Sequence, residues 1–178
     1  MINSNLIKGG FFMSTLNVDS YVISENTYVM QSKLVGNKYY TTIIDKRGTY
    51  DCPKSVTRVI RHSCRLAGIS TERVRAQSRR FFQEGVHKLP LILAYAGNKP
   101  LIFFPIYSPR SPGNVWLNIN AISNISTNHT ETIITLVNGE DVLLPVQYQA
   151  FCGLYVRAYF YQRSLNKEFS RKSVLTLN

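Results

Sequence analysis

Acidic residues are scarce in this chain, with 10 Asp and Glu against 21 Lys and Arg in 178 residues and a formal net charge of +11. An excess of that size favours an anionic partner, either nucleic acid or an acidic membrane surface. It also leaves few carboxylates for acid–base chemistry. The close pair Glu140-Asp141 adjoins a predicted hairpin turn, where charged residues commonly sit in solvent. Cysteine is equally sparse: Cys52, Cys64 and Cys152 lack the spacing of a zinc or thioredoxin-type motif and read as reduced core thiols. His62, His87 and His129 are scattered, and His62 with Cys64 would need two further ligands that the spacing does not offer. We therefore expect no metal and no cofactor. No Gly-rich phosphate loop, G-x-S-x-G elbow or deaminase zinc pattern is present, which argues against an enzyme. Long apolar runs are missing as well. Leu101 to Ile106 is short and contains Pro105, far from the roughly 18–20 residues of a spanning helix. Met1 to Met13 lacks the apolar core of a signal peptide, so a cytoplasmic protein is expected, and Met13-Ser14 reads as an alternative start. Without secretion, the glycosylation patterns at Asn124 and Asn128 are chance matches.

What the chain has is a globular composition, 44% hydrophobic and 12% aromatic, in a length that suits one domain. Its charge is unevenly placed. Residues 54–80 hold Lys54, Arg58, Arg61, Arg65, Arg73, Arg75, Arg79 and Arg80 against the single acid Glu72. The stretch from Leu89 to Val156 is close to neutral, and Arg157, Arg163, Lys167, Arg171 and Lys172 form a second basic cluster.

β-Forming residues fill Thr27 to Lys33 and Lys38 to Asp45, with Gly36-Asn37 between them as a hairpin signal. Gly97-Asn98 and Asn138-Gly139 predict two more hairpins, joining Leu91–Tyr95 to Leu101–Phe104 and Ile133–Val137 to Val142–Leu144. Pro53 and Gly68 bracket a predicted helix over 53–67. After Pro145, apolar residues at helical spacing predict a C-terminal helix, with Gly153 its weak point. The fold class expected is α+β: mostly antiparallel strands in hairpins, with a basic amphipathic helix and a C-terminal helix.

On the 53–67 helix, Lys54, Arg58, Arg61 and Arg65 fall in one narrow stripe, while Val56, Val59, Ile60, Cys64 and Ala67 take the opposite side. A stripe of cations without an acid suits phosphate contacts or groove insertion, whereas an ordinary solvated face mixes signs. The Ser70 to Gln83 segment adds four arginines without a clean helical stripe. It reads either as a mobile arm or as a surface loop with Phe81 and Phe82 tucked inward. Arginine suits a narrow A·T minor groove. Phe151, Leu154, Tyr155 and Tyr159, with Val156 and Phe160, leave little polar surface on the C-terminal helix, which buries either a chain–chain interface or the centre of the core. DNA binding is the leading function, with a nuclease built from carboxylates gathered by folding, or an RNA-binding protein, as alternatives.

His62-Ser63-Cys64-Arg65 with Gly68, His87-Lys88-Leu89-Pro90, Phe104-Pro105, Trp116, Asn138-Gly139, Leu144-Pro145 and Tyr148 to Phe151 follow one another in an order and spacing that resemble the ComK family of competence transcription factors. The resemblance covers about residues 25–165. It implies a non-enzymatic activator of DNA-uptake genes that binds double-stranded DNA at paired A·T-rich promoter boxes, largely through the minor groove, as a dimer or tetramer working with RNA polymerase. Lys88 then joins the basic block as a DNA-contact candidate. The resemblance also implies delivery by an adaptor to a Clp protease through a hydrophobic C-terminal motif, and the tail from Glu168 to Asn178 departs from that pattern. On this reading residues 1–24 are a loosely ordered leader, 25–165 the DNA-binding domain and 166–178 a basic tail.

Overall fold

A computed structural model describes residues 15–82, 85–108, 111 and 113–175, with side chains described through residue 168. In chain order the elements are β1 (Leu16–Asn17), β2 (Thr27–Val35), β3 (Lys38–Asp45), β4 (Gly48–Cys52), α1 (Val56–Leu66), α2 (Thr71–Phe82), β5 (Leu91–Ala96), β6 (Lys99–Pro105), β7 (Val115–Asn118), β8 (Ile122–Asn128), β9 (Glu131–Leu136), β10 (Asp141–Leu144) and α3 (Tyr148–Leu175). This is an α+β fold. The three hairpins expected from Gly-Asn and Asn-Gly signals all form. In the first, Gly36 takes φ +58°, a left-handed turn conformation that glycine adopts without steric cost.

A seven-stranded sheet runs β1-β4-β3-β2-β7-β6-β5, antiparallel except for the β1–β4 pair, and β10-β9-β8 form a second, three-stranded sheet. Side chains alternate across the large sheet, and both of its faces are apolar. Met30, Ile43, Phe103 and Trp116 point into one core with Val56, Val59, Ile60 and Cys64 of α1. Val29, Ile44, Phe104 and Leu117 point into the other, covered by Phe151, Leu154, Ala158 and Tyr161 of α3 and by Ile134, Leu136, Val142 and Leu144 of the small sheet. Two buried faces need two covers, which is why helices lie on both sides of a largely antiparallel sheet.

Five sequence expectations are corrected. The first helix starts at Val56 instead of residue 53, because Thr41 Oγ1 donates to the Lys54 carbonyl at 2.7 Å and holds the preceding segment against β3. Ala67, expected on the apolar side of that helix, is exposed at its C-terminal end. The Ser70–Gln83 segment is neither arm nor loop over its described part, but helix α2. Residues 15–24 are not a loose leader: Tyr21 and Ile23 are buried, and the Tyr21 hydroxyl donates to Asp45 Oδ2 at 2.5 Å. Ile23 N–H reaches Ser63 Oγ on α1 at 3.0 Å. The rest of the expected leader, residues 1–14, lies outside the described residues. At the other end α3 continues unbroken through Leu175, so the boundary expected at 165 falls inside a helix.

Gly153 does not interrupt α3, and a Cβ added there meets nothing within 4 Å. Gly153→Ala is expected to raise stability by about 0.5–1 kcal/mol, since it removes backbone freedom from the unfolded chain without a clash. Phe151, fully buried on the same helix, should cost about 3–5 kcal/mol when cut to Ala. Denaturant midpoints of the two variants check both signs.

Candidate nucleic-acid interface

Helices α1 and α2 are joined by a short turn whose geometry follows from its residues. Gly68 sits at φ +67°; Ile69 N–H bonds the Cys64 carbonyl at 2.7 Å and Gly68 N–H the Arg65 carbonyl at 3.2 Å. This is a Schellman ending, which needs the left-handed residue that glycine supplies. Ser70 then caps α2, its Oγ accepting from Arg73 N–H at 3.2 Å. The α2 helix is fastened beneath by Ser78 Oγ, which donates to the Pro90 carbonyl at 2.7 Å, and by Val74 and Phe82 packing inward. The result is a helix–turn–helix pair in which α1 covers one face of the large sheet and α2 lies by the edge strand β5, reaching the core on the α3 side.

Fixing the inner faces decides the outer ones. On α1, Val56, Val59, Ile60, Ser63 and Cys64 are buried, and Arg58, Arg61 and Arg65 stand exposed on the opposite side. On α2, Val74 and Ser78 are buried, and Arg73, Arg75, Arg79 and Arg80 are exposed. Arg61 and Arg75 come together, lining one small cleft with Thr57, Ile60, Thr71, Glu72 and Trp116. Lys54, ahead of α1, and Lys88, between α2 and β5, are half-buried. Sequence reasoning found all these cations but not that a second helix carries four of them; the signal available was Ser70 as a cap.

Among the described residues, none of these arginines is ion-paired with an acid. Among the described residues the ion pairs are Lys33–Asp51 at 3.0 Å and Arg47–Asp45 at 3.3 Å, neither on α1 or α2. The one acid among them, Glu72, is engaged locally. Its carboxyl is held below the usual range by its own backbone N–H first, then by the Thr71 and Ser70 hydroxyls, with the Arg75 charge adding to them. An exposed array of like charges without counter-charges repels itself and gains most from an anionic partner.

The residues expected at a chain–chain interface divide. Phe151 and Leu154 are buried in the chain's own core, with the Phe151 ring 6.0 Å from that of Phe104. A helix laid on a sheet turns one face inward, so that expectation is corrected for these two. Tyr155 is half-buried with its ring 6.5 Å from Phe104. Tyr159 is exposed beside Val156 and Phe160.

Among the described residues no three His, Cys, Asp or Glu gather in a group able to hold a metal, and no helix is long and apolar enough to cross a membrane. The described residues thus set a basic helix pair on an α+β fold. A family model described as ComK protein matches residues 18–170, and the chain belongs to the ComK family of competence transcription factors. Neither a curated protein nor a solved structure matches it.

Burial pushes the Cys64 thiol up to about 11, and its Sγ donates to the Leu93 carbonyl at 3.8 Å. Cys52 is raised by the same cause. In the native protein at neutral pH, a thiol reagent is expected to modify the half-buried Cys152 and to reach Cys52 and Cys64 only on unfolding. Mass spectrometry of the labelled protein checks this, and native labelling of Cys64 would mean that α1 lifts from the sheet.

Proposed function

We propose that this protein binds double-stranded DNA at A·T-rich promoter boxes and activates competence genes, with the outer faces of α1 and α2 as its contact surface. The observation that carries the reading is the row of exposed arginines on two adjacent helices with no acidic partner among the described residues. Arginine gives charge-assisted hydrogen bonds to phosphate oxygens and favours the negative potential of a narrow A-tract minor groove. Lys54 and Lys88 flank the surface and add phosphate contacts. Family membership supports a dimer or tetramer on DNA that engages RNA polymerase, and the exposed Tyr159 with Tyr155 at its margin is the part of α3 open to such assembly. Recognition by an adaptor and Clp protease is carried over from the family resemblance alone, since the C-terminal sequence departs from the family motif.

A gel-shift titration with an A·T-box duplex, a matched RNA and a G·C-rich duplex tests the partner class. The A·T duplex is expected to bind tightest. RNA preference would favour an RNA-binding protein, and metal-dependent cleavage a nuclease. Changing Arg58, Arg61 and Arg65 together to Ala should weaken binding with the fold intact, lowering the slope of log affinity against log salt by about 0.9 for each phosphate that is no longer neutralised. An unchanged slope would remove α1 from the interface.

A second reading has its own observation. A helix pair with a Gly turn and a basic outer face on its second helix is also the arrangement that places a recognition helix in the major groove. Replacing A·T pairs of the box by inosine·cytosine pairs separates the two readings, because it rewrites the major-groove edge and leaves the minor-groove edge nearly unchanged. Minor-groove reading predicts near-native affinity. Major-groove reading predicts a loss of roughly 1–3 kcal/mol for each contacted pair.

A further inference from the structure

The β2–β3 hairpin outgrows the sheet that holds it. Strand β2 pairs with β7 only from Val29 to Gln31, and β3 pairs with β4 only from Thr41 to Asp45. From Lys33 to Tyr40 the two strands pair with each other alone, as a projecting ribbon. Leu34 lies opposite Tyr39 across it, and these side chains are 60% and 41% exposed. Because side chains alternate with a period of two, this pair stands on the same face as Met30 and Ile43, which pack in the core beneath α1. Between them Thr41 bonds the Lys54 carbonyl at the approach to α1. An apolar pair therefore projects beside the start of the α1 arginine stripe.

The charge around it favours a polyanion over a protein surface. No acid occurs from Asn26 to Ile44. Lys33 and Lys38 adjoin the pair along the strands, on the opposite face of the ribbon, and Asp51 at the ribbon's base is neutralised by Lys33 at 3.0 Å. Apolar side chains on a cationic support are what groove-binding proteins drive between base steps, unstacking them and kinking the duplex.

We propose that the β2–β3 ribbon is a DNA-deforming arm whose Leu34–Tyr39 pair wedges into the minor groove next to the phosphates held by α1. This rests on the DNA-binding reading above and adds to it a second contact element, with distortion of the duplex as its effect. The wedge supplies no charge contacts, so its removal alters the shape of bound DNA and leaves the salt dependence alone, whereas removal of the α1 arginines does the reverse.

The test uses the full chain, an A·T-rich duplex carrying 2-aminopurine at successive steps, and end-labelled dyes for energy transfer. The wild type is expected to bend the duplex by roughly 20–90° and to raise 2-aminopurine emission at one step. L34A/Y39A should still bind with an unchanged salt slope but lose the bend and the emission rise. V35A, on the opposite ribbon face, should keep both. Should the double variant lose its circular dichroism signal, L34A and Y39A taken singly carry the same comparison. A bend that persists in a folded variant, or a wild type that binds without bending, overturns the arm and leaves the DNA-binding reading standing. Loss of self-association by light scattering with the bend intact would assign the pair to a second copy of the chain and also overturn it. A wild type that binds no duplex removes both readings together.

Discussion

In β6, Leu101 and Phe103 face one way and Ile102 and Phe104 the other, and all four are buried. A central strand apolar on both sides has to be covered on both sides, since an uncovered Phe or Ile forfeits about 1.5–3 kcal/mol of burial. Neighbouring β7 repeats the constraint with Trp116 on one face and Val115 and Leu117 on the other. The positions of α1 on one face and of α3 with the small sheet on the other follow from that requirement. So does the outward aim of the cations, because each cover contributes its apolar side to the sheet.

The helix pair is rigid for local reasons that reinforce one another. The Schellman turn at Gly68, the Ser70 cap and the buried hydroxyls of Ser63 and Ser78 each satisfy backbone groups that would otherwise be left open at helix ends or beneath the helices. Rigidity matters for the chemistry of the surface. An arginine on a fixed helix loses less freedom on meeting a phosphate than one on a loop, so more of its interaction appears as affinity. With no acid paired to these arginines among the described residues, their mutual repulsion costs some stability, a cost that salt screens and an anionic partner removes.

Helix α3 has a double character that its sequence presents as one. Its residues are apolar or aromatic nearly all round from Phe151 to Phe160, yet only Phe151, Leu154 and Ala158 of that stretch are buried. Tyr161 continues the inward face, its ring 5.2 Å from Phe81 and 5.6 Å from Phe82, so α3 is also the floor on which the end of α2 rests. The end of the basic helix α2 and the inward face of α3 are thus joined through one aromatic cluster.

Local signals carried much of this in the amino-acid order alone. Glycine-containing turns placed three hairpins, because positive φ at a tight turn is a property of single residues. The α1 stripe was legible since a period of 3.6 separates Arg58, Arg61 and Arg65 from Val56, Val59 and Ile60 without reference to anything else. Strands β4 and β7 were not legible: β7 has four residues and is defined by pairing with β2 and β6 across long sequence separations. The α2 helix was missed because only Val74, Ser78 and Phe82 turn inward, too sparse a stripe to show a period. Its helicity rests on a cap and on docking to β5 and α3. The class of fold, the sign of the surface and the outward face of α1 were all written locally, within one turn or hairpin. Long-range packing was needed to align the arginines of a second helix beside the first, to turn Phe151 and Leu154 into the core, and to carry the β2–β3 ribbon past its neighbours. Those outcomes depend on which faces the sheet requires to be covered, and no local pattern records that.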